Sequence, residues 1–317
     1  MPSISYRDIA GGDKVSYKDP FFGAHFYEPL YSLKKAGGNY MQRIGYLGPE
    51  GTFSQRAAQM YITNKSAQLI GMSSIRETLL AVQRGELDLA VIPYENSLEG
   101  SVNVVLDILA WDVDLHIINE LTLPISQTLM INHGARWQDI TEVFTHPQSA
   151  GQCRLFLETQ LPQAKLYLTN SNSEGANQAK KNGITAGAIG AEQAAEIFGL
   201  EVALRDIQDN LNNFTRFVAV GKNAAHNTAN RNKTSIVFST EHKPGSLACI
   251  LDIFSLWDIN MSKIESRPSR GKLGRYIFFI DIEGHMTDPD VRDALTMVKR
   301  KTTFYKFLGS YPRVDSD

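Results

Sequence analysis

Asn213-Phe214-Thr215-Arg216-Phe217-Val218-Ala219-Val220-Gly221 is the stretch on which the fold turns. Phe214 to Gly221 reads as a strand, rich in β-branched and aromatic residues and closed by a glycine. It follows two separate sets of strand and helix signals, so it is expected to return to the first of them. A strand accounts for Phe214 and Phe217 as apolar residues buried on opposite faces. It does not account for Thr215 and Arg216 standing side by side, and that pair is the first candidate for chemistry.

Working outward from this strand, the upstream chain alternates short strands and helices from Arg43 onward. Ile44 to Leu47 reads as a strand, Thr52 to Tyr61 as a helix, and Ser74 with Glu77 as a capping box. Leu87 to Ile92 is a short apolar run of the kind buried on both faces of a sheet. Ser101 to Trp111 reads as a helix. Leu115 to Asn132 is extended and broken by Pro124, as expected of a segment crossing between two lobes. A second set follows: helix from Ser149 to Leu161, strand Leu166-Tyr167-Leu168, helix from Ser173 to Asn182 closed by Gly183, and helix from Ala191 to Phe198 closed by Gly199. Such alternation predicts parallel sheets covered by helices, with a ligand in the cleft near the strand carboxyl ends.

Downstream, the polar run from Lys222 to Lys233 reads as a linker. After it the order is strand, helix, strand, strand, helix, strand, the ferredoxin-like βαββαβ unit. The strands are Thr234 to Thr240, Asn260 to Arg267, Tyr276 to Ile282 and Phe304 to Gly309. One helix starts near Pro244; the other is capped by Asp288 with Pro289 at its first position.

Composition excludes several classes. A net charge of -2 gives no footprint for nucleic acid or an anionic membrane, and no apolar run approaches the length of a bilayer span. Cys153 and Cys249 read as reduced cytoplasmic thiols, and the seven histidines lack ligand spacing, so no metal is expected. Residues 1–42 mix Gly, Asp and Lys with aromatics, show no apolar leader core, and have no assigned role.

Four further motifs stand with Thr215 and Arg216. Gly48-Pro49-Glu50-Gly51-Thr52-Phe53-Ser54 joins a strand to a helix, where Gly51 frees the backbone and helix amides can face an anion; an ordinary capped turn is the plain alternative. Pro93-Tyr94-Glu95-Asn96-Ser97 ends a buried strand, and Asn96 offers donors and an acceptor from one side chain. Thr145-His146-Pro147-Gln148, with Gln152 beyond, ends another strand; a lone histidine there is more often structural than a general base. Glu265-Ser266-Arg267-Pro268 ends the second strand of the C-terminal unit, whose first helix opens at Pro244-Gly245-Ser246-Leu247. No Walker lysine or GxGxxG turn is present, which removes the nucleotide-binding reading.

Together, and in this order, these motifs resemble prephenate dehydratase followed by a C-terminal ACT domain, over about Arg43 to Arg313. The resemblance implies a two-lobed, periplasmic-binding-protein-like α/β catalytic domain with helices on both faces of each sheet, then a ferredoxin-like βαββαβ ACT domain. It divides the chain into an extension at 1–42, a catalytic domain at 43–222 (lobe 1 about 43–120 plus 205–222, lobe 2 about 121–204), a linker at 223–233 and the ACT domain at 234–313. It implies conversion of prephenate to phenylpyruvate, carbon dioxide and water without a cofactor. The essential hydroxyl falls to Thr215, with Asn96, Thr145 and Gln152 beside it; relatives often carry Ser in place of Thr145.

Substrate contacts are expected from Gly51, Thr52, Phe53, Ser54, Glu95, Ser97, Arg216 and Phe217, with Arg216 gripping either the substrate's carboxylate or a structural one such as Glu95. Phenylalanine is the implied effector, held between subunits by Gly245, Ser246, Leu247 and Glu265 to Pro268 in a homodimer or homotetramer. Ser246 stands in place of a usual Ala, and Asp258 in place of a common Gly. An arogenate dehydratase is the nearest rival; a non-catalytic amino-acid sensor is the rival of another class.

Overall fold

The computed structural model describes residues 41–62, 66–225, 229–271 and 274–314, together with the backbone of a two-stranded hairpin, β1 (Tyr17–Lys18) and β2 (His25–Phe26). Apart from that hairpin and residues 41–42, the last of which opens β3, the aromatic extension read at 1–42 lies outside the described residues. The first lobe holds β3 (Gln42–Leu47), α1 (Phe53–Tyr61), β4 (Ala67–Met72), α2 (Ile75–Arg84), β5 (Leu89–Asn96), β6 (Gly100–Ser101), α3 (Asn103–Trp111) and β7 (His116–Pro124). The second holds β8 (Thr128–Ile131), β9 (Glu142–Thr145), α4 (Pro147–Gln152), α5 (Arg154–Gln160), β10 (Lys165–Leu168), α6 (Asn172–Asn182), β11 (Ala186–Gly190), α7 (Gln193–Phe198) and β12 (Glu201–Leu204). The chain then returns as β13 (Phe214–Gly221) before the C-terminal domain: β14 (Asn232–Ser239), α8 (Ser246–Leu256), β15 (Met261–Pro268), β16 (Tyr276–Glu283), α9 (Pro289–Lys301) and β17 (Phe304–Pro312).

The first sheet has the order β4-β3-β5-β13-β7, so the late strand does slot into the first lobe, antiparallel to both neighbours. The second has the order β10-β9-β11-β8-β12, parallel except for β8. The antiparallel strand in each sheet follows from the crossing: β8 and β13 are the first strands after the chain changes lobe, so each starts where the parallel strands end and runs against them. That crossing lies between Pro124 and Thr128, because β7 stays in the first sheet to its end. A change of lobe at 121 therefore falls inside a strand.

Each lobe has a core on both faces of its sheet. In the first, Ile44, Ala57, Val91 and Phe217 pack with α1. Leu79, Ile92, Leu106 and Val218 pack with α2 and α3 on the other face, and this core runs on into Val237, Ile277, Phe279 and Leu308 of the C-terminal sheet. Burial of side chains like these four contributes roughly 1.5–3 kcal/mol each, enough to fasten the domains together. Gly309, at φ +150, marks the closest approach: a Cβ there would strike the carbonyl oxygen of Ile117 on β7. The other face of the C-terminal sheet, ordered β15-β16-β14-β17, is covered by α8 and α9.

Several local expectations need correction. The helix expected from Ser149 to Leu161 breaks at Cys153 into α4 and α5. β4, β11 and β12 were not legible as strands; Ala186 to Gly190 contains small residues that no propensity argument favours. Phe214 is 41% exposed, so only Phe217 of that pair is core. Asp288 precedes α9 as expected, but its carboxylate accepts from the His285 backbone rather than capping the helix. Asp258 adopts φ +53, the left-handed conformation that glycine supplies most readily.

Candidate active site

The motif-bearing loops meet between the lobes, at the carboxyl ends of β3 and β5 on one side and of β9, β10 and β11 on the other. β13 places Thr215 opposite Asn96 on β5. The Asn96 amide nitrogen donates to Thr215 Oγ1 at 3.0 Å and to Asn213 Oδ1 at 2.8 Å. Asn96 Oδ1 meanwhile accepts from the backbone of Leu98 and Glu99, folding the following loop over its own side chain. The direction of the first bond matters. Thr215 accepts through its oxygen and has no acceptor for its own hydrogen among the described residues, which leaves the hydroxyl to donate to a ligand.

A bulge arranges this pairing. Arg216 faces Glu95 while Phe217 faces Pro93, so Tyr94 is an extra residue on β5. Bulges next to active sites re-aim side chains. Here Tyr94 and Glu95 both turn toward Arg216, whose guanidinium lies 4.9 Å over the Tyr94 ring, and Asn96 turns back to Thr215. The same bulge admits Pro93 to an inner strand, where proline is otherwise excluded.

On the facing lobe, Thr145 donates from Oγ1 toward the Ile189 carbonyl (3.0 Å) and Asn172 Oδ1 (3.1 Å). Asn172 also accepts from the His146 backbone and donates to Ser149 Oγ, tying the start of α6 to the turn before α4. Gln152 bridges the cleft: its amide nitrogen donates to Glu99 Oε1 across the lobes, and its oxygen accepts from Gln127. A second clasp is Gln193, donating to the Thr52 carbonyl at 2.6 Å. Gly51, at φ +80, sits against Ser173 and Ala194, where a Cβ would fall 3.1 Å from Ser173 Oγ.

The expected substrate contacts divide. Gly51 borders the cleft, but its amide is taken by Gln55 Oε1, and Thr52 serves as the N-cap of α1. Phe53 packs on the lobe core and Ser54 is buried. Ser97 clamps the backbone before Thr215 by accepting from Phe214 N and donating to the Asn212 carbonyl. Glu95, Arg216 and Phe217 do not face the cleft. Phe217 lies in the core. Arg216 pairs with Asp281 (2.6 Å), Glu120 (2.6 Å) and more distantly Glu95 (3.5 Å), and Glu95 pairs with Lys263. Of the two partners open to Arg216, it takes structural carboxylates, because strand alternation sends it to the face opposite Thr215.

Sequence reading passed over Asn213, Asn172, Gln127 and Ser173. Asn213 Nδ2, Gln127 Oε1 and Ser173 Oγ are buried without a hydrogen-bond partner among the described residues. Unsatisfied buried polar atoms of this kind point to a ligand or water. Asn213 directly precedes β13, and Asn172-Ser173 opens the helix after β10; position at a strand or helix end was the available signal.

In the C-terminal domain, Ser246 and Leu247 line a cavity of about 410 Å³ with Thr240, Pro244, Tyr276 and Phe278. Gly245 is the left-handed cap of α8. The other expected effector residues lie on β15 and do not line that cavity within one chain. Glu265 accepts from Ser101 and Arg267 pairs with Asp107, both in the first lobe, while Ser266 and Pro268 are exposed.

Comparison with known proteins agrees with the two-part architecture. The prephenate dehydratase family model matches residues 44–225, and the ACT domain model matches 234–296. A prephenate dehydratase of Mycobacteroides abscessus is 39% identical over 280 residues, covering 86% of this chain and 91% of that protein. An arogenate dehydratase/prephenate dehydratase of Arabidopsis thaliana is 36% identical over 280 residues, covering 85% and 72%. Among solved structures, the prephenate dehydratase of Arthrobacter aurescens in complex with L-Phe superposes with a TM-score of 0.79 at 37% identity, covering 86% of this chain and 90% of that one.

Proposed function

The chain belongs to the prephenate dehydratase family and carries an ACT domain, and from that premise we propose that it converts prephenate to phenylpyruvate under control by phenylalanine. It is then a carbon–oxygen lyase. The ring carbon–carboxylate bond breaks, its electron pair completes the aromatic ring, and the ring hydroxyl leaves with a proton as water. Gaining the aromatic ring drives the reaction, so no redox equivalent is consumed.

The observation that carries the reading is the hydrogen bond from Asn96 into Thr215 Oγ1, which orients the threonine hydroxyl as a donor. Thr215 is too weak an acid to protonate the leaving group alone. Its role is that of a positioned donor to the departing oxygen, with Asn96, Thr145 and Gln152 as an uncharged frame around the ring. Acceleration then comes mainly from orientation and preorganised dipoles. The unpaired Asn213 and Ser173 groups give the frame further capacity for the substrate's carboxylates. Arg216 and Glu95 are reassigned from substrate contact to support.

Phenylalanine control rests on the ACT domain and on the L-Phe complex of the Arthrobacter aurescens relative. The cavity at Ser246 and Leu247 is its proposed place, completed by Glu265 to Pro268 of a second copy in a homodimer or homotetramer. Two unpaired cysteines, and the absence of any described helix able to cross a membrane, support a cytoplasmic setting.

The test is phenylpyruvate formation from prephenate by the purified chain, with and without phenylalanine. Product that responds to phenylalanine supports both parts. The Arabidopsis thaliana relative's double name makes arogenate the comparison substrate; turnover of arogenate alone would replace the proposal.

A further inference from the structure

The face of β13 opposite Thr215 carries a second polar cluster that the dehydratase reading does not use. Arg216, Lys233 and Lys263 meet Glu95, Glu120 and Asp281, three cations against three carboxylates. Arg216, Glu95 and Glu120 belong to the catalytic lobe; Lys233, Lys263 and Asp281 belong to the ACT domain. The pairs Arg216–Asp281 (2.6 Å), Lys233–Glu120 (2.9 Å) and Lys263–Glu95 (2.8 Å) each take one member from either side.

Asp281 and Tyr311 complete the seat of the guanidinium. Tyr311 accepts from Arg216 Nη2 at 2.8 Å, and Ser235 donates to Asp281 at 2.5 Å while sharing a hydrogen bond with Tyr311. Both Asp281 and Tyr311 are essentially inaccessible to solvent. On β5 the cluster grips Glu95, and on β13 it grips Arg216. Their immediate neighbours are Asn96 and Thr215, the two residues whose 3.0 Å hydrogen bond orients the catalytic hydroxyl.

We infer that Arg216 is a positioning residue for the dehydratase reaction, and that Asp281 and Tyr311 of the ACT domain hold it, so the regulatory domain supplies part of the scaffold that sets the Asn96–Thr215 geometry. A strand clamped on one face at residue 216 has little freedom to displace residue 215 on the other, because the backbone between them is shared. A displacement of about 1 Å at a reacting group can cost on the order of 100-fold in rate. The clamp therefore acts on turnover rather than on substrate affinity. This inference rests on the proposed dehydratase activity, but one of its tests does not.

The experiment compares the full-length chain with Asp281→Asn, Tyr311→Phe and Arg270→Met. The last removes a cross-domain pair with Asp112 that is remote from Thr215. The first readout is amide hydrogen exchange, which needs no substrate. Asp281→Asn and Tyr311→Phe are expected to speed exchange selectively at Glu95 to Ser97 and Asn213 to Phe217, leaving lobe 2 unchanged; Arg270→Met leaves those amides as in the parent. The second readout is prephenate turnover: kcat falls by about 10-fold or more in the two clamp variants with KM nearly constant, and stays in Arg270→Met. Tyr311→Phe keeps the ring and all three carboxylate partners of Arg216, removing only the hydroxyl that accepts from Nη2, so it reports even where Asp281→Asn folds poorly.

Exchange at those two segments that matches the parent in both variants overturns the inference whether or not prephenate is the substrate. Faster exchange without loss of kcat in an active enzyme overturns the positioning role. A parent inactive on prephenate, with the exchange response intact, refutes the assigned substrate and supports the clamp.

Discussion

The cleft and the domain joint lie on opposite faces of one strand and are built on opposite electrostatic plans. The cleft is framed by uncharged groups: Asn96, Asn213, Thr215, Thr145, Asn172 and Gln127, with Gln152 reaching Glu99 at its mouth. Some of their buried atoms have no partner among the described residues. The joint is made of full charges, each with an opposite partner within 3.5 Å. An unpaired buried polar atom costs roughly 1–3 kcal/mol, a cost that a ligand relieves. A buried unpaired charge costs more, so a cluster of charges persists only when it is closed upon itself. In the cleft the unpartnered Asn213, Gln127 and Ser173 atoms leave hydrogen-bonding capacity for a ligand; in the joint each charge faces an opposite one, and that pairing holds the domains together.

Arg216→Met attacks that distinction hardest. Removing the central cation leaves Asp281 buried without its closest ion-pair partner, and breaking a buried pair in this way costs about 3–5 kcal/mol. Denaturant unfolding is expected to show a loss of that size. If Arg216 were instead a substrate ligand, the variant would unfold normally and show a raised KM. Acid gives the same contrast. Burial alone would raise the Asp281 pKa, but Arg216, the Ser235 hydrogen bond and Lys233 outweigh it and hold it below the ordinary value. A depressed carboxyl contributes stability above its unfolded pKa of about 3.9 and loses it as pH falls through the folded value. Stability measured below about pH 4 should therefore fall, and less steeply in Asp281→Asn.

Thr215→Val tests the other face. It preserves shape and removes one donor, and loss of a preorganised donor costs on the order of 100–1,000-fold in kcat. Substrate binding and unfolding should change little. Turnover within a few-fold of the parent would leave the Asn96 hydrogen bond without a catalytic meaning.

The two regions were not equally legible beforehand. Thr215, Asn96, Thr145 and Gln152 sit in short local motifs at strand ends; Asn96 and Thr215 are hydrogen-bonded to each other and Gln152 reaches Glu99 across the lobes, while Thr145 is buried in the second lobe with its hydroxyl bonded there. Apart from the Arg216–Glu95 option, the joint left no local signal, because its six charged members come from six strands, β5, β7, β13, β14, β15 and β16. Asp281 in Tyr276 to Ile282 looked like the polar residue of an alternating strand, and Lys233 like the end of a linker. Glu95 and Arg216 were read with their neighbours, since one extra residue at Tyr94 reverses which side chains share a face, and a bulge leaves no mark that periodicity can find. Thr215 and Arg216 were paired as a signal, with Arg216 left open between a substrate carboxylate and a structural one such as Glu95; the ion pairs of the joint are of the second kind.

Gly51→Ala sharpens the cleft half at lower cost. Its φ of +80 is a left-handed conformation, worth roughly 1–2 kcal/mol against a residue with a Cβ. The added methyl would also press on Ser173 Oγ and Ala194 of the facing lobe. Lobe approach, not the fold, absorbs that pressure, so KM and kcat are expected to shift together with modest loss of stability. An unchanged enzyme would show that turnover does not require the lobes to meet as closely as here.

Arg154→Gln should do least, and its smallness carries the comparison to its limit. Arg154 and Glu158 pair at 3.1 Å, one helical turn apart on α5, with both side chains more than half exposed. In distance the pair is hardly worse than those of the joint. Water screens both charges and the long side chains lose entropy on pairing, so such a contact contributes about 0.3–0.5 kcal/mol. Urea midpoints for the parent and Arg154→Gln should nearly coincide, while Arg216→Met moves far to lower denaturant. A large effect at Arg154 would mean that ion pairing itself, rather than burial with every charge answered, holds the two domains together.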